Sequence, residues 1–146
     1  ICCDAVVEIA DVTGERTIKL EQLYSGDGIN PRTLNKTAII KSILLPLGND
    51  YKCIFKKLRP RVSVDYSSLT SVVSVNNKGR IKITLGGVDP KPVVIEGETG
   101  SSISEMIIQA VKMARVIDND HYSRLYRKEM ISVFLQRSFH ELNLNY

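Results

Sequence analysis

The sequence predicts an α+β fold, with strands first and helices last. Three observations carry that expectation. Arg80, Lys82 and Thr84 alternate with Ile81, Ile83 and Leu85, the period-two pattern of a sheet with one wet face and one buried face. From Ile103 the period changes, and Ile103, Met106, Ile107, Ala110, Val111, Ala114 and Ile117 fall on one helical stripe. The order is strands, a break, more strands, then helices, which argues for segregated elements and against an alternating parallel α/β sheet.

Ala5 to Ile9 reads as a strand, Val12 to Glu15 as a turn, and Arg16 to Leu20 as the returning strand. Gly14 supplies the positive φ that the turn needs. Glu21 to Tyr24 fits a single helical turn, and Ser25 to Lys36 is loop. Thr37 to Leu45 is β-rich and stops at Pro46. Leu47 to Asp50 marks a boundary, giving expected units at 1–49 and 50–146. In the second unit Tyr51 to Leu58, Leu69 to Val75 and Arg80 to Leu85 predict a three-stranded antiparallel sheet, with a turn at Asn76 to Gly79. Pro90 and Pro92 keep the next segment extended, and Val93 to Ile95 suits a further short strand. Ser102 with Glu105 forms a capping-box pattern at the start of the first helix, and Asp118 to Asp120 should end it. A second helix is expected from about Tyr122 to about Phe139, packed through Tyr122, Leu125, Tyr126, Met130, Val133 and Phe134. The tail from Asn143 to Tyr146 is expected to be loose.

With 146 residues the chain can hold one compact domain, or a small domain plus a fragment of another. It has no Trp, three Phe and six Tyr, so its core must be mostly Val, Ile and Leu. The net charge of +4 is modest, and Lys and Arg are interleaved with acids; that argues against a nucleic-acid interface. Three cysteines make no disulfide framework, and none has C-x-x-C spacing, so no metal site is expected. No apolar run reaches membrane-spanning length and no secretory leader is recognisable. A reducing, cytoplasmic compartment is the expectation. The opening Ile1, where Met would stand, suggests a processed or truncated piece.

The run Lys57-Leu58-Arg59-Pro60-Arg61-Val62-Ser63-Val64-Asp65-Tyr66, the hairpin that follows it, and Leu85-Gly86-Gly87-Val88-Asp89-Pro90-Lys91-Pro92 carry a further signal. Together they resemble the carboxy-terminal part of the FAD-binding subunit or domain of the molybdenum hydroxylases, the xanthine dehydrogenase and carbon monoxide dehydrogenase flavoprotein family. Gly14 to Thr17, Leu23 to Gly26, the Pro-ended strand Ile39 to Pro46, and the helical segments His121 to Lys128 and Gln136 to Ser138 match in order. The resemblance covers nearly the whole chain. The family's amino-terminal half, with its Gly-rich phosphate loops, has no counterpart. Gly86-Gly87 leads into a Pro-rich segment and not a helix, so it makes no dinucleotide fingerprint.

The resemblance implies several roles. The first unit would be the end of an FAD-binding domain and the second the family's small carboxy-terminal domain. Lys57, with Lys56 as the competing register, would lie near the flavin, where a cation favours the anionic reduced ring. Ile40 matches an apolar position beside the flavin, although a plain core role on the strand suits it better. Arg59, Arg61 and Asp65 would support the loop next to the cofactor. His121 and His140 have no companion nucleophile or ligand at usable spacing. Tyr122 and Tyr126 suit helix packing, and the arginines of the last helix suit a solvated face or a docking surface. In the family, substrate is hydroxylated at a molybdopterin centre, and [2Fe–2S] clusters pass electrons to FAD and on to NAD or another acceptor. The expected partners are the molybdopterin and iron–sulfur subunits and the missing half of the FAD domain. The isolated chain is expected to be inactive. The rival expectation is a docking module with no competent cofactor site of its own.

Overall fold

The computed structural model describes residues 1–62 and 64–144, without the side chain of Asn49. Ser63 of the Lys57–Tyr66 run, and Asn145 and Tyr146 of the tail, lie outside the described residues. Among the described residues, seven strands form two antiparallel sheets, and two α-helices cover one of them. β1 (Val6–Asp11), β2 (Gly14–Lys19) and β3 (Ile39–Leu44) make a three-stranded antiparallel sheet in the order β2-β1-β3. Asp11 closes the β1–β2 turn by accepting from the Thr13 amide at 2.8 Å, and Gly14 takes φ +126°. A 3-10 turn, Leu20–Leu23, and a loop lead to β3.

The second sheet has four strands, not the three expected: β4 (Lys52–Leu58), β5 (Leu69–Val75), β6 (Arg80–Gly86) and β7 (Val93–Glu98), antiparallel and in sequence order. The short Val93 to Ile95 segment extends to Glu98 because β6 offers it a full register, from Leu85 opposite Val93 to Arg80 opposite Glu98. At the β5–β6 turn Gly79 has φ +77°, and Asn76 Oδ1 accepts from the amides of Lys78 and Arg80, each at 3.0 Å.

α1 (Ile103–Met113) and α2 (Arg124–Glu141) pack on one face of this sheet. The shared core contains Leu58, Leu69, Val73, Ile81, Ile83, Leu85, Ile107, Ile131, Leu135 and Phe139. α1 ends four residues before Ile117. Ala114 and Val116 are buried in extended backbone while Ile117 is 73% exposed, so beyond Met113 the period is two and the helical stripe stops. α2 buries Arg127, Ile131, Phe134, Leu135, Ser138 and Phe139. The expected stripe was rotated: Leu125 is 79% exposed, and Tyr122 precedes the helix. Counting Arg127 as solvated hid the face that it shares with Ile131 and Leu135. Leu144 returns to the core, its amide donating to Phe139 O at 3.0 Å, so the tail is anchored up to that residue. Among the described residues no helix is long and apolar enough to cross a membrane.

Candidate functional site

β4 is an edge strand with two chemically distinct faces. Ile54, Lys56 and Leu58 alternate toward the helix side, opposite Val73, Ser71 and Leu69. Cys53, Phe55 and Lys57 point the other way and are exposed. The period of the strand thus separates the two candidate lysines. Lys56 Nζ pairs with Glu141 of α2 at 2.6 Å. Lys57 Nζ lies 5.5 Å from the centroid of the Phe55 ring, a cation–π contact on an open face. Lys57 is therefore the lysine available to a ligand, and Lys56 is committed to the helix. Ile40 lies on β3, 42% exposed, opposite Ile9. It belongs to the other sheet, so no strand pairing joins it to the lysines.

Arg61 Nε pairs with Asp65 at 3.1 Å, with Arg61 largely in solvent; the Asp65 carboxyl is held below its ordinary value by that hydrogen bond. Tyr122 and Tyr126 stack at 5.4 Å between centroids, with Tyr122 half-buried against the core. Both helix N-termini are closed by their own residues: Ser102 Oγ accepts from the Glu105 amide, Ser123 Oγ from the Tyr126 amide, and Asp118 from the Arg124 amide. Among the described residues the Lys57–Phe55 face of β4 stands open to solvent.

Sequence reasoning missed three arrangements. The first is Arg127, only 3% exposed, which donates to Ile117 O, Ser68 O and Gly87 O, each at 2.5 Å. Burial pushes its guanidinium below its ordinary value. It ties the β4–β5 and β6–β7 connections to α2, and Gly87, at φ +76°, brings its backbone so close to Ser68 O that a Cβ would sit at 3.0 Å. The signal available was the i, i+4, i+8, i+12 spacing of Arg127, Ile131, Leu135 and Phe139.

The second is a charged clamp on the face of the second sheet opposite the helices. Asp4 meets Lys82 at 2.5 Å, Arg80 at 3.4 Å and the Tyr51 hydroxyl at 2.6 Å, and Glu96 meets Arg80 and Lys82 at 2.7 and 3.1 Å. Burial pulls Asp4 and Glu96 upward, but the hydrogen bonds and charges of Lys82 and Arg80, with the Tyr51 hydroxyl at Asp4, together outweigh it and both carboxyls end below their ordinary values. Burial works against the Lys82 cation, yet its bonds to the two acids leave it raised. The third is the cysteines, which the structure gathers: Cys3 Sγ is 3.7 Å from Cys2 Sγ and 3.5 Å from Cys53 Sγ. Burial pushes all three thiols up. Spacing in the sequence could not reveal a cluster that joins positions 2, 3 and 53.

The architecture is a two-sheet α+β fold that recurs in solved oxidoreductases. The chain matches quinoline 2-oxidoreductase from Pseudomonas putida 86 with a TM-score of 0.74 at 17% identity, over 96% of this chain and 52% of that one. It matches reconstituted CO dehydrogenase from Oligotropha carboxidovorans with a TM-score of 0.80 at 18% identity, over 95% of this chain and 52% of that one. CO dehydrogenase from Hydrogenophaga pseudoflava matches at 0.74 and 15% identity, over 96% and 53%. CO dehydrogenase is the enzyme named in the resemblance read from the sequence, so the fold expected is the fold found. The chain spans about half the length of these structures. No family model matches, and no curated protein matches.

Proposed function

We propose that the chain is the rear part of an FAD-carrying electron-transfer subunit or domain of a molybdopterin-dependent hydroxylase. Residues 1–49 would complete the FAD-binding domain and residues 50–146 would form the small domain behind it. The observation that carries this reading is β3. Ile39, Ile40, Ile43 and Leu44 are each more than 40% exposed on a strand that pairs only with β1, and Leu45 and Leu47 continue the apolar run. An open apolar edge of this kind calls for a cover. The matched structures, about twice as long, have room for one.

In this reading the missing half grips the FAD phosphates, while Lys57 and Phe55 line one side of the ring and Ile40 supports it from the first sheet. The flavin supplies the electron transfer from the [2Fe–2S] clusters toward NAD or another acceptor. The chain supplies placement and charge, and Lys57 favours the anionic reduced ring. The same open β3 also favours the rival reading, a docking module without a cofactor site.

One experiment separates them. The chain is co-expressed with its completing half, and bound flavin is measured by absorbance and fluorescence quenching. Retention of flavin in the joined protein, with a lower midpoint potential in Lys57→Met and no change in Lys56→Met, supports the flavin reading. A stable complex that holds no flavin supports the docking module.

A further inference from the structure

Cys2, Cys3 and Cys53 form a preorganised three-sulfur site, and we propose that it binds a soft, closed-shell cation, zinc(II) or copper(I), through three thiolates. This goes beyond the flavin reading and does not depend on it.

The site is built from both ends of the contact. Asp4 takes φ +53°, and its amide donates to Ile1 O at 3.0 Å, which closes a tight turn with Cys2 and Cys3 at the corner. Ser74 on β5, fully buried, donates its hydroxyl to Cys2 O at 2.8 Å. Ser74 is also the register partner of Cys53 on β4. One residue therefore fixes the turn beside the strand that carries the third sulfur. The Asp4 clamp to Lys82 and Tyr51 holds the far end of the turn.

The sulfur geometry is close to that of a metal site. All three Sγ atoms lie within 4.8 Å of one another. A zinc–sulfur bond of about 2.3 Å in a tetrahedral shell puts its sulfurs about 3.8 Å apart; the two closer pairs measure 3.5 and 3.7 Å. An all-thiolate donor set selects thiophilic ions over magnesium, calcium or manganese. Cys53 is exposed while Cys2 and Cys3 are half-buried, so the ion has an entry path and one side open to solvent. Three-coordinate copper(I) needs no further ligand, and zinc(II) takes a water on the open side. As each sulfur–metal bond forms, the thiol releases its proton to solvent, and no electron changes hands. The site joins the amino-terminal segment to the edge strand of the second sheet, so an ion here would act as a staple between the two parts.

The test uses the full chain, free of affinity tags, reduced and stripped with chelator. It is titrated anaerobically with zinc(II) against a chromophoric chelator, and separately with copper(I) against a copper(I)-selective chelator. One ion per chain is expected for at least one metal. Cys53→Ser should lose at least about tenfold in affinity, with Cys3→Ser alike and thermal unfolding in chelator unchanged. X-ray absorption then distinguishes the occupants: three sulfurs for copper(I), three sulfurs and one oxygen for zinc(II). Uptake that survives all three Cys→Ser changes overturns the proposal. So does a fully reduced chain that takes up neither metal, whether or not air oxidation links Cys3 to Cys53.

Discussion

The two sheets of this chain use similar residues and reach different states. The second sheet buries its Val, Ile and Leu under α1 and α2; among the described residues, every member of the hydrophobic core cluster lies between Leu58 and Phe139. Among the described residues of the first part only Ala5, Val7, Ile9 and Leu23 are buried apolar residues, and none belongs to that cluster. Ile39, Ile43 and Leu45 are 58–68% exposed. Composition does not explain the contrast, because β3 is as aliphatic as β6. The presence of a covering layer does: two amphipathic helices follow β7, and nothing in the described chain lies over β3. An aliphatic strand thus reports what must cover it, not what covers it within a given chain.

The largest expected effect lies in the covered layer. Leu135→Ala or Phe139→Ala removes a side chain with no exposed surface and should cost about 3–5 kcal/mol. Ile43→Ser on the first sheet should change the stability of this chain by no more than about 0.5 kcal/mol. Urea denaturation followed by circular dichroism reads both. Comparable losses at the two positions would break the contrast. It would sharpen if Ile43→Ser, harmless in this chain, became costly once the completing half is joined.

Arg127 comes next. Its guanidinium holds three backbone carbonyls in the interior, and hydrogen bonds to a charged group contribute about 1.5–3 kcal/mol each before non-additivity. Arg127→Met should cost about 3 kcal/mol or more by leaving those carbonyls unpaired. Arg127→Lys should recover only part, since one ammonium lacks the planar fork that reaches Ser68, Gly87 and Ile117 together. Hydrogen exchange should show the loss first at the β4–β5 and β6–β7 connections and at the start of α2. If those segments stay protected in Arg127→Met, the residue is not the tie that the geometry indicates.

The sequence made most elements legible because alternation and helical period are local properties. Both hairpins, the break near Pro46 and the capped start of α1 follow from neighbouring residues. The missed features are all matters of tertiary context. β7 acquired its full length from β6, and α1 lost its last turn because Ala114 and Val116 are buried in an extended strand-like path. The face of α2 was misjudged because a buried arginine looks, in sequence, like a solvated one. The candidate lysines were two registers of one strand; only the side that Glu141 occupies separates them. The cysteines and the Asp4 clamp join positions 2–4 to positions 51–82, at least 47 apart, where no spacing rule operates.

The Asp4 clamp is where the two regions meet, and its effect should be smaller and pH-dependent. The folded pKa values of Asp4 and Glu96 lie below their ordinary ones. Their stabilisation is therefore complete above roughly pH 4–5 and fades as pH falls through the folded values. Lys82 is raised, so its share persists to about pH 10 and fades as pH rises through its folded value. Asp4 is about a third exposed, and solvent screening limits its pairs to about 1 kcal/mol. Asp4→Asn should lose about that much at pH 7, and its deficit should shrink as pH falls below the ordinary carboxylate range. A deficit that stays constant across that range would mean that the turn at Asp4, and not its charge, holds the segment.

The smallest effect is expected at the Asp89–Arg115 pair, inside the well-packed region but at its surface. Arg115 grips both Asp89 oxygens, Nε at 2.9 Å and Nη2 at 2.5 Å, which raises the guanidinium above its ordinary value. Arg115 is 69% exposed, so Arg115→Gln should cost little, and less still as salt is added. Good geometry alone does not confer stability: the same type of residue at position 127, with poorer charge pairing but no access to water, is expected to be worth several times more. A double-mutant cycle over Asp89 and Arg115 in low and high salt measures the pair directly. A coupling as large as the Arg127→Met loss would show that packing around the pair, rather than exposure of its head group, sets its strength.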